Sequence, residues 1–406
     1  MIKDPQHVVV HRPEACEGCG GSLFSRDGTS EVPGYERRQV ADLPALLALE
    51  VTEHRAQRGR CFGCGTTTTA PFPAEASGAR VGYGPRIEAL MVYLMEYQLL
   101  PYERASELLE DTFGEPAPGA GTPYSAVKRC FEGLEETEEA IKEGLLGGTG
   151  EAVVGGLDET GLRAEGKGMW VHVASTEELA HYYAVHEKRG TEATKEIGIL
   201  PLFKGVAMHD GLSPYWDYER CAHALRNAHH LRELTFVEEE HEQERAGRMK
   251  ALLLEIEEAV REEAAFLGGT HLLAPEKVEK FEKRYQRLLE AGVEANPPPE
   301  RTGKRGRPKQ TKGKNLVDRL DEHREAVLRF MHDFRVPFEN NRAERDLRMV
   351  KVRQKISGCF RTRRGAEMFC RIRGYISTVR KQGENVLAAL ESVFMGDPFV
   401  PSLQAE

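Results

Sequence analysis

Two near-identical short segments, Cys16-Glu-Gly-Cys19-Gly20 and Cys61-Phe-Gly-Cys64-Gly65, constrain this chain more than any other feature. Two thiolates three residues apart, with glycine before and after the second, can turn both sulfurs inward while the loop takes positive φ. Two such loops complete a tetrahedral zinc site of four cysteines. Four thiolates leave no open position, so the expected role is structural. The 41 residues between Cys19 and Cys61 must then fold into a small loop of their own. His54, in EVTEHR, is either a substitute ligand or an ordinary strand or surface histidine. Disulfides do not suit a cytoplasmic chain. That location is the expectation, because the N-terminal MIKDPQHVVVHRPEACEGCG lacks an apolar core with a cleavage site and no apolar run approaches bilayer length. A place at the bacterial nucleoid would follow from binding DNA.

Charge is distributed very unevenly. The 406 residues carry a net −9, yet 301–315 hold seven Lys or Arg and no acid. Residues 342–381 hold thirteen Lys or Arg against Glu344, Asp346 and Glu367. Such segregation describes either a polyanion-binding surface on an acidic body or a solvated helical face.

The periodicity divides the chain into segments. Residues 1–75 form the four-cysteine zinc-binding module. Residues 76–148 are helical: Ile87, Leu90, Met91, Leu94 and Gln98 share a face stopped by Pro101, Tyr102, Ala105, Leu108 and Leu109 make a second face, and Thr122 is placed to cap a third helix. Their order suits a helix-turn-helix or a plain bundle. Residues 149–235 change to strand period, with AVVGGLD ending in Asp158 and KGVAMHD ending in Asp210. Residues 236–335 are a helical insertion, with stripes Met249, Leu252, Ile256, Val260, Ala264 and Val278, Phe281, Tyr285, Leu288. Its basic linker, 296–315, contains Arg305, Arg307 and Lys309 and is either solvated or laid in a DNA minor groove. Residues 336–381 return to the core with the Glu344 helix and a basic track, and 382–406 are a C-terminal helix and tail.

Asp158, Asp210 and Glu344 are the candidate chemistry. In an RNase H-like fold the first and fourth strands lie side by side, so acids on them meet, and a later helix brings a third. Such a trio can hold two divalent ions about 3.5–4 Å apart, one activating the attacking oxygen and one stabilising the leaving oxygen of a phosphodiester. Hard oxygen ligands favour Mg²⁺ or Mn²⁺. Around Glu344, Arg345, Arg348, Lys351, Arg353, Lys355 and Arg361, extended by Arg363 and Arg364, make a track suited to phosphates.

On the paired knuckles, VTEHR, LDET, HDG, NAHHLREL, VPFENNRAERDLRMVKVRQKISGCFR and GYISTVRKQGENVLAALESVF, the chain resembles the DDE-type transposases of bacterial insertion sequences, most closely the insertion sequence sixty-six family. The resemblance implies a multidomain α/β protein with an RNase H-like core. It implies Asp158, Asp210 and Glu344 as the metal-binding triad, a zinc module and helical segment that contact DNA, and cutting and joining of transposon ends by at least a dimer on DNA. Helper proteins encoded by the element are a further partner class. Where many relatives carry Cys in a C-x-x-H arrangement ending at His229, this chain has Arg226; His229 either supports the site or packs as a helix histidine. The alternatives are an inactive DNA-binding protein of the same fold and a Mg²⁺-dependent nuclease.

Overall fold

The computed structural model describes residues 3, 8–11, 17–21, 38–39, 48–73, 82–114, 118–119, 121–146, 154–176, 181–266, 272–299, 310–339 and 341–402, without the side chains of 181–183, 266 and 341–346. The chain divides into two units, Met1–Glu50 and Val51–Glu406. Among the described residues, every helix and strand lies in the second unit.

A short hairpin, β1 (Arg58–Arg60) with β2 (Thr67–Thr69), carries the second knuckle at its tip. Helices follow: α1 (Pro85–Val92), widened into a π-helical turn over Tyr93–Tyr97, then α2 (Tyr102–Phe113), α3 (Gly121–Gly133) and α4 (Glu135–Leu145). Pro85 at the first turn needs no donor there. The third helix begins at Gly121, ahead of Thr122, so that threonine lies inside it rather than capping it. Ala89, Met91, Ala126, Val127 and Phe131 of α1 and α3 share one core with Ile372, Tyr375 and Leu390.

The central sheet has five strands: β3 (Val154–Ala164), β4 (Lys167–Ser175), β5 (His181–His186), β6 (Val206–His209) and β7 (Ala222–Leu225), in the order β5-β4-β3-β6-β7. The first three pair antiparallel, and β6 and β7 run parallel to β3. The first and fourth sheet strands are therefore neighbours. Asp158 does not close its strand as the sequence suggests. It lies in the middle of β3, because the hairpin with β4 continues to Ala164↔Lys167 while the parallel pairing with β6 covers only Val154, Gly155 and Gly156.

Between β5 and β6 lies α5 (Thr191–Ile197); β7 leads into α6 (Asn227–Glu240), α7 (Glu244–Phe266), α8 (Pro275–Ala295), α9 (Lys312–Glu322) and α10 (Arg324–His332). The insertion packs as its stripes require: Met249, Leu252, Ile256, Phe281, Tyr285, Leu316, Leu320, Val327 and Phe330 are buried together, whereas Ala264, at the far end of its stripe, is exposed. Each large apolar side chain so buried contributes about 1.5–3 kcal/mol. Then come α11 (Asn341–Ser357), α12 (Arg363–Lys381) and α13 (Val386–Phe394). Thr362 and Asn385 cap the last two by accepting from Gly365 and Ala388 backbone N–H groups.

The sheet is covered on both faces. Side chains alternate along a strand, so Leu162, Ala164, Val171 and Val173 bury against Leu347, Val350 and Phe369 of α11 and α12. Leu157, Ala174 and Ala207, on the other face, bury against Ile141, Leu145, Ile199 and Phe203.

Candidate active site

The parallel register ends at Gly156↔Met208, two residues short of Asp158 on β3 and two short of Asp210, which follows β6. Both side chains are half-buried. Asp158 Oδ1 accepts the Glu159 N–H at 2.8 Å, and Oδ2 accepts from Arg226 Nη1 at 2.7 Å. Asp210 Oδ1 accepts the Leu212 N–H at 3.2 Å, which closes a turn directly after β6.

Two histidines brace that turn. Gly211 N–H donates to His209 Nδ1 at 3.0 Å, so the His209 proton sits on Nε2 and points at His223 Nδ1, 3.0 Å away. His223 must then carry its proton on Nε2, where it meets the Tyr218 carbonyl at 3.1 Å. Every donor in this relay has one acceptor, and both rings are neutral. Burial pushes His209 down to about 3, and His223, Arg226 and His323 add to the effect; burial likewise lowers His223. His209 packs between Tyr215 and Trp216, and Trp216 stacks on His323 with ring centroids 3.7 Å apart.

On the opposite face, Glu159 accepts from Arg189 Nε and Nη2 at 2.9 and 2.6 Å and from the Tyr215 hydroxyl at 2.5 Å. Burial raises its carboxyl above the ordinary value, while the bonds from Tyr215 and Arg189 pull it back and the Asp210 charge raises it further.

Helix α11 runs alongside β3. Beyond its C-terminus, Phe360 bridges Ala164, donating to the Arg163 carbonyl at 2.9 Å and accepting from Glu165 at 3.1 Å. Lys351 donates to the Gly161 carbonyl. From that tie, three strand residues lead back to Asp158, about 10 Å at 3.3 Å each. Seven helical residues lead back to Glu344, also about 10 Å at 1.5 Å each. Both counts run back toward the N-termini of β3 and α11, so Glu344 lies in the same direction along its helix as Asp158 does along its strand; its side chain lies outside the described residues, as does that of Arg345.

Of the other basic candidates, Arg305, Arg307 and Lys309 lie outside the described residues. Arg348, Lys355 and Arg361 are exposed, whereas Arg353 turns inward, its guanidinium 4.2 Å from the Phe360 ring centre. Arg364 lies 4.1 Å over Phe131. An open groove of about 570 Å³, lined by Gly161, Arg163, Trp170, Lys351, Gln354 and Cys359, runs between the β3–β4 hairpin and the end of α11. His229 is half-buried in the first turn of α6, next to the fully packed His230.

At the hairpin tip, Gly65 N–H donates to the Cys61 carbonyl at 2.9 Å and Cys61 N–H to the Thr66 carbonyl at 2.8 Å, closing a tight turn. Gly20 and Gly65 take φ of +72° and +75°, which a side chain would strain. Cys61 and Cys64 are exposed free thiols. Bonding to the Thr66 side chain, then to its backbone and to Cys61, draws Cys64 down to about 7. Cys16 lies outside the described residues, and Cys19 is an exposed free thiol of the first unit. Among the described residues no three His, Cys, Asp or Glu side chains gather at metal-binding distance; each predicted metal set has a member beyond them.

Sequence reasoning passed over Arg226, Glu159, Tyr215 and the His209–His223 relay as parts of this site. Glu159 and His209 do stand inside the quoted LDET and HDG segments. No helix described is long and apolar enough to cross a membrane. No curated protein matches the chain. The sequence model of the Transposase IS66 family matches residues 80–368, which takes in the sheet, both aspartates and Glu344, and the chain therefore belongs to that family.

Proposed function

We propose that the chain binds the ends of its insertion sequence and catalyses metal-dependent cleavage and strand transfer of DNA, with Asp158, Asp210 and Glu344 as the acid triad of an RNase H-like core. Family membership already implies transposition and DNA as partner. The finer reading is supported by one observation: Asp158 lies two residues past the last parallel pair on β3 and Asp210 two residues past it after the neighbouring β6, with helix α11 tied to β3 through Lys351. The donor set is entirely carboxylate oxygen, which suits Mg²⁺ or Mn²⁺. When bound, such ions supply the positive charge that activates an attacking oxygen and stabilises a leaving one.

The protein's own groups have distinct tasks. The histidine relay keeps the Asp210 turn in one conformation. Arg348, Lys355 and Arg361 offer exposed positive charge to phosphates, which positions DNA without reading its sequence. Arg163 and Lys351 continue that charge into the groove beside β3. The proposed reaction hydrolyses a phosphodiester at the transposon end. The freed 3′-hydroxyl then displaces a 3′-oxygen of target DNA, with no covalent enzyme intermediate. Both steps need two ends held together, so the working species is at least a dimer. Cys16, Cys19, Cys61 and Cys64 would hold a structural zinc; the tight turn from Cys61 to Thr66, with Gly65 at positive φ, supports that reading for the second pair.

The test incubates the protein with Mg²⁺ and DNA bearing the element's ends, beside Asp210→Asn and Glu344→Gln. Joined products that vanish in both variants are expected. Cutting without joining would identify a nuclease instead, and binding with unchanged DNA an architectural protein.

A further inference from the structure

Arg226 is the most deeply placed cation of the site. Its side chain is 2% exposed, with Nη1 on Asp158 Oδ2 at 2.7 Å and Nη2 on the Leu157 carbonyl at 2.8 Å. Nε is buried and makes no hydrogen bond, so the guanidinium is aimed by the aspartate and not by full satisfaction of its donors. Its backbone N–H donates to the His209 carbonyl, one residue before Asp210, at 3.3 Å. The next N–H, of Asn227, donates to the Phe338 carbonyl at 3.3 Å, in the segment that leads into α11. Arg226 and the residue after it therefore touch the strand of Asp158, the end of β6 just before Asp210 and the approach to the Glu344 helix.

We infer that Arg226 is a resident cation of the acid site: it holds Asp158 in place without metal and competes with divalent ions for Oδ2, so that the DNA-free protein loads metal weakly. The inference rests on reading Asp158 and Asp210 as metal ligands. Carboxylates gathered to hold ions repel one another when the ions are absent, and a positive charge nearby offsets that repulsion. A guanidinium within hydrogen-bond reach of one oxygen provides that charge. The same charge stands next to any ion on that oxygen and opposes it. DNA phosphates at the site add negative charge and offset this opposition, which ties metal loading to the presence of DNA.

The test measures Mn²⁺ binding to the full chain without DNA, by calorimetry and by the spin-resonance signal of free Mn²⁺. Arg226→Gln and Arg226→Met remove the charge and keep an unbranched stem, and either should bind Mn²⁺ roughly tenfold tighter than the unaltered protein. Their melting temperatures should be lower without metal and recover more on adding Mn²⁺. Equal or weaker binding by a folded neutral variant overturns the inference. Should neither neutral variant fold, Arg226→Lys decides: its ammonium keeps the charge, so binding within about threefold of the unaltered protein is expected and a tenfold gain overturns the inference. Asp210→Asn, which keeps the turn, reports separately on the underlying reading. If it leaves Mn²⁺ binding unchanged, the aspartates are not the ligands, whatever the Arg226 variants do.

Discussion

Asp158 and Glu159 are neighbours on one strand, and the two faces of the sheet treat them in opposite ways. Asp158 keeps its side chain 17% exposed and pairs with an arginine that is 2% exposed. Glu159 is 1% exposed and pairs with Arg189, which is 41% exposed and lies 4.8 Å over Trp170. On the first face the acid looks outward and the cation is sealed in. On the second the acid is sealed and its side-chain bonds, from Arg189 and Tyr215, tie the sheet to the segments just before α5 and just after β6. The same chemical type thus serves as a candidate ligand on one side and as a clamp on the other. Burial of the partner, more than distance, distinguishes the two.

The largest test of this contrast is Asp210→Asn, on the open side. The amide oxygen can still accept from Leu212, so unfolding free energy should change by less than about 1 kcal/mol. Strand-transfer product should fall by at least about a thousandfold, as happens when one member of a catalytic group is removed. A variant that retains more than a tenth of the activity would move the chemistry away from this face.

Next in size is a pH effect behind the open face. Glu96, in the π-helical turn before α2, is buried, and burial raises its carboxyl to about 7 against the opposing charges of Arg353 and Arg373. An acid with a raised folded pKa binds more protons folded than unfolded, so stability falls as pH rises from about 4.5 to about 7. Over that window the loss is about 2–3 kcal/mol. Chemical denaturation at pH 5 and pH 8 should show this drop in the unaltered protein and a smaller one in Glu96→Gln. Equal drops would mean that Glu96 is solvated and that the layer holding α11 is looser than its packing indicates.

Local signals in the sequence carried a good part of this arrangement. The short apolar runs before Asp158 and Asp210 mark β3 and β6, and the stripes through Leu252, Ile256, Phe281 and Tyr285 are the buried faces of α7 and α8. Contacts made at long range were hidden. The charges of Glu159 and Arg163 interrupt the apolar run, so β3 looked finished at Asp158, although pairing with β4 carries it to Ala164. The face of α3 could be named, but not its cover. Phe131 meets Arg371, 240 residues later, through its carbonyl and its ring. The His209–His223 relay exists only because β6 and β7 pair in parallel, a register that no local pattern encodes. Arg226 stood out in the sequence only as a departure from C-x-x-H, and its role at the site needed the fold.

Glu159→Gln tests the sealed face. Gln keeps an acceptor for Tyr215 but leaves Arg189 without its carboxylate; because that guanidinium reaches solvent, the loss should be about 2 kcal/mol rather than the full cost of a stranded buried charge. Activity per folded molecule should stay within about tenfold, in contrast to Asp210→Asn. A thousandfold loss would make Glu159 part of the chemistry and erase the distinction between the faces.

Gly155→Ala should give the smallest effect. Gly155 pairs with Ala207, and a Cβ there would meet the Phe203 ring at 2.9 Å, inside the core that closes the same face. The ring must shift within a packed layer, at a cost of about 1–2 kcal/mol. A Phe203→Leu partner change makes room for the added methyl, so the double variant should lose less than the sum of the singles by about 0.5–1 kcal/mol. Additive losses would show that the ring is not what limits the approach at Gly155. The closed face would then owe its rigidity to the Glu159 clamp alone, and the sealed and open sides would differ by one ion pair rather than by an entire packed layer.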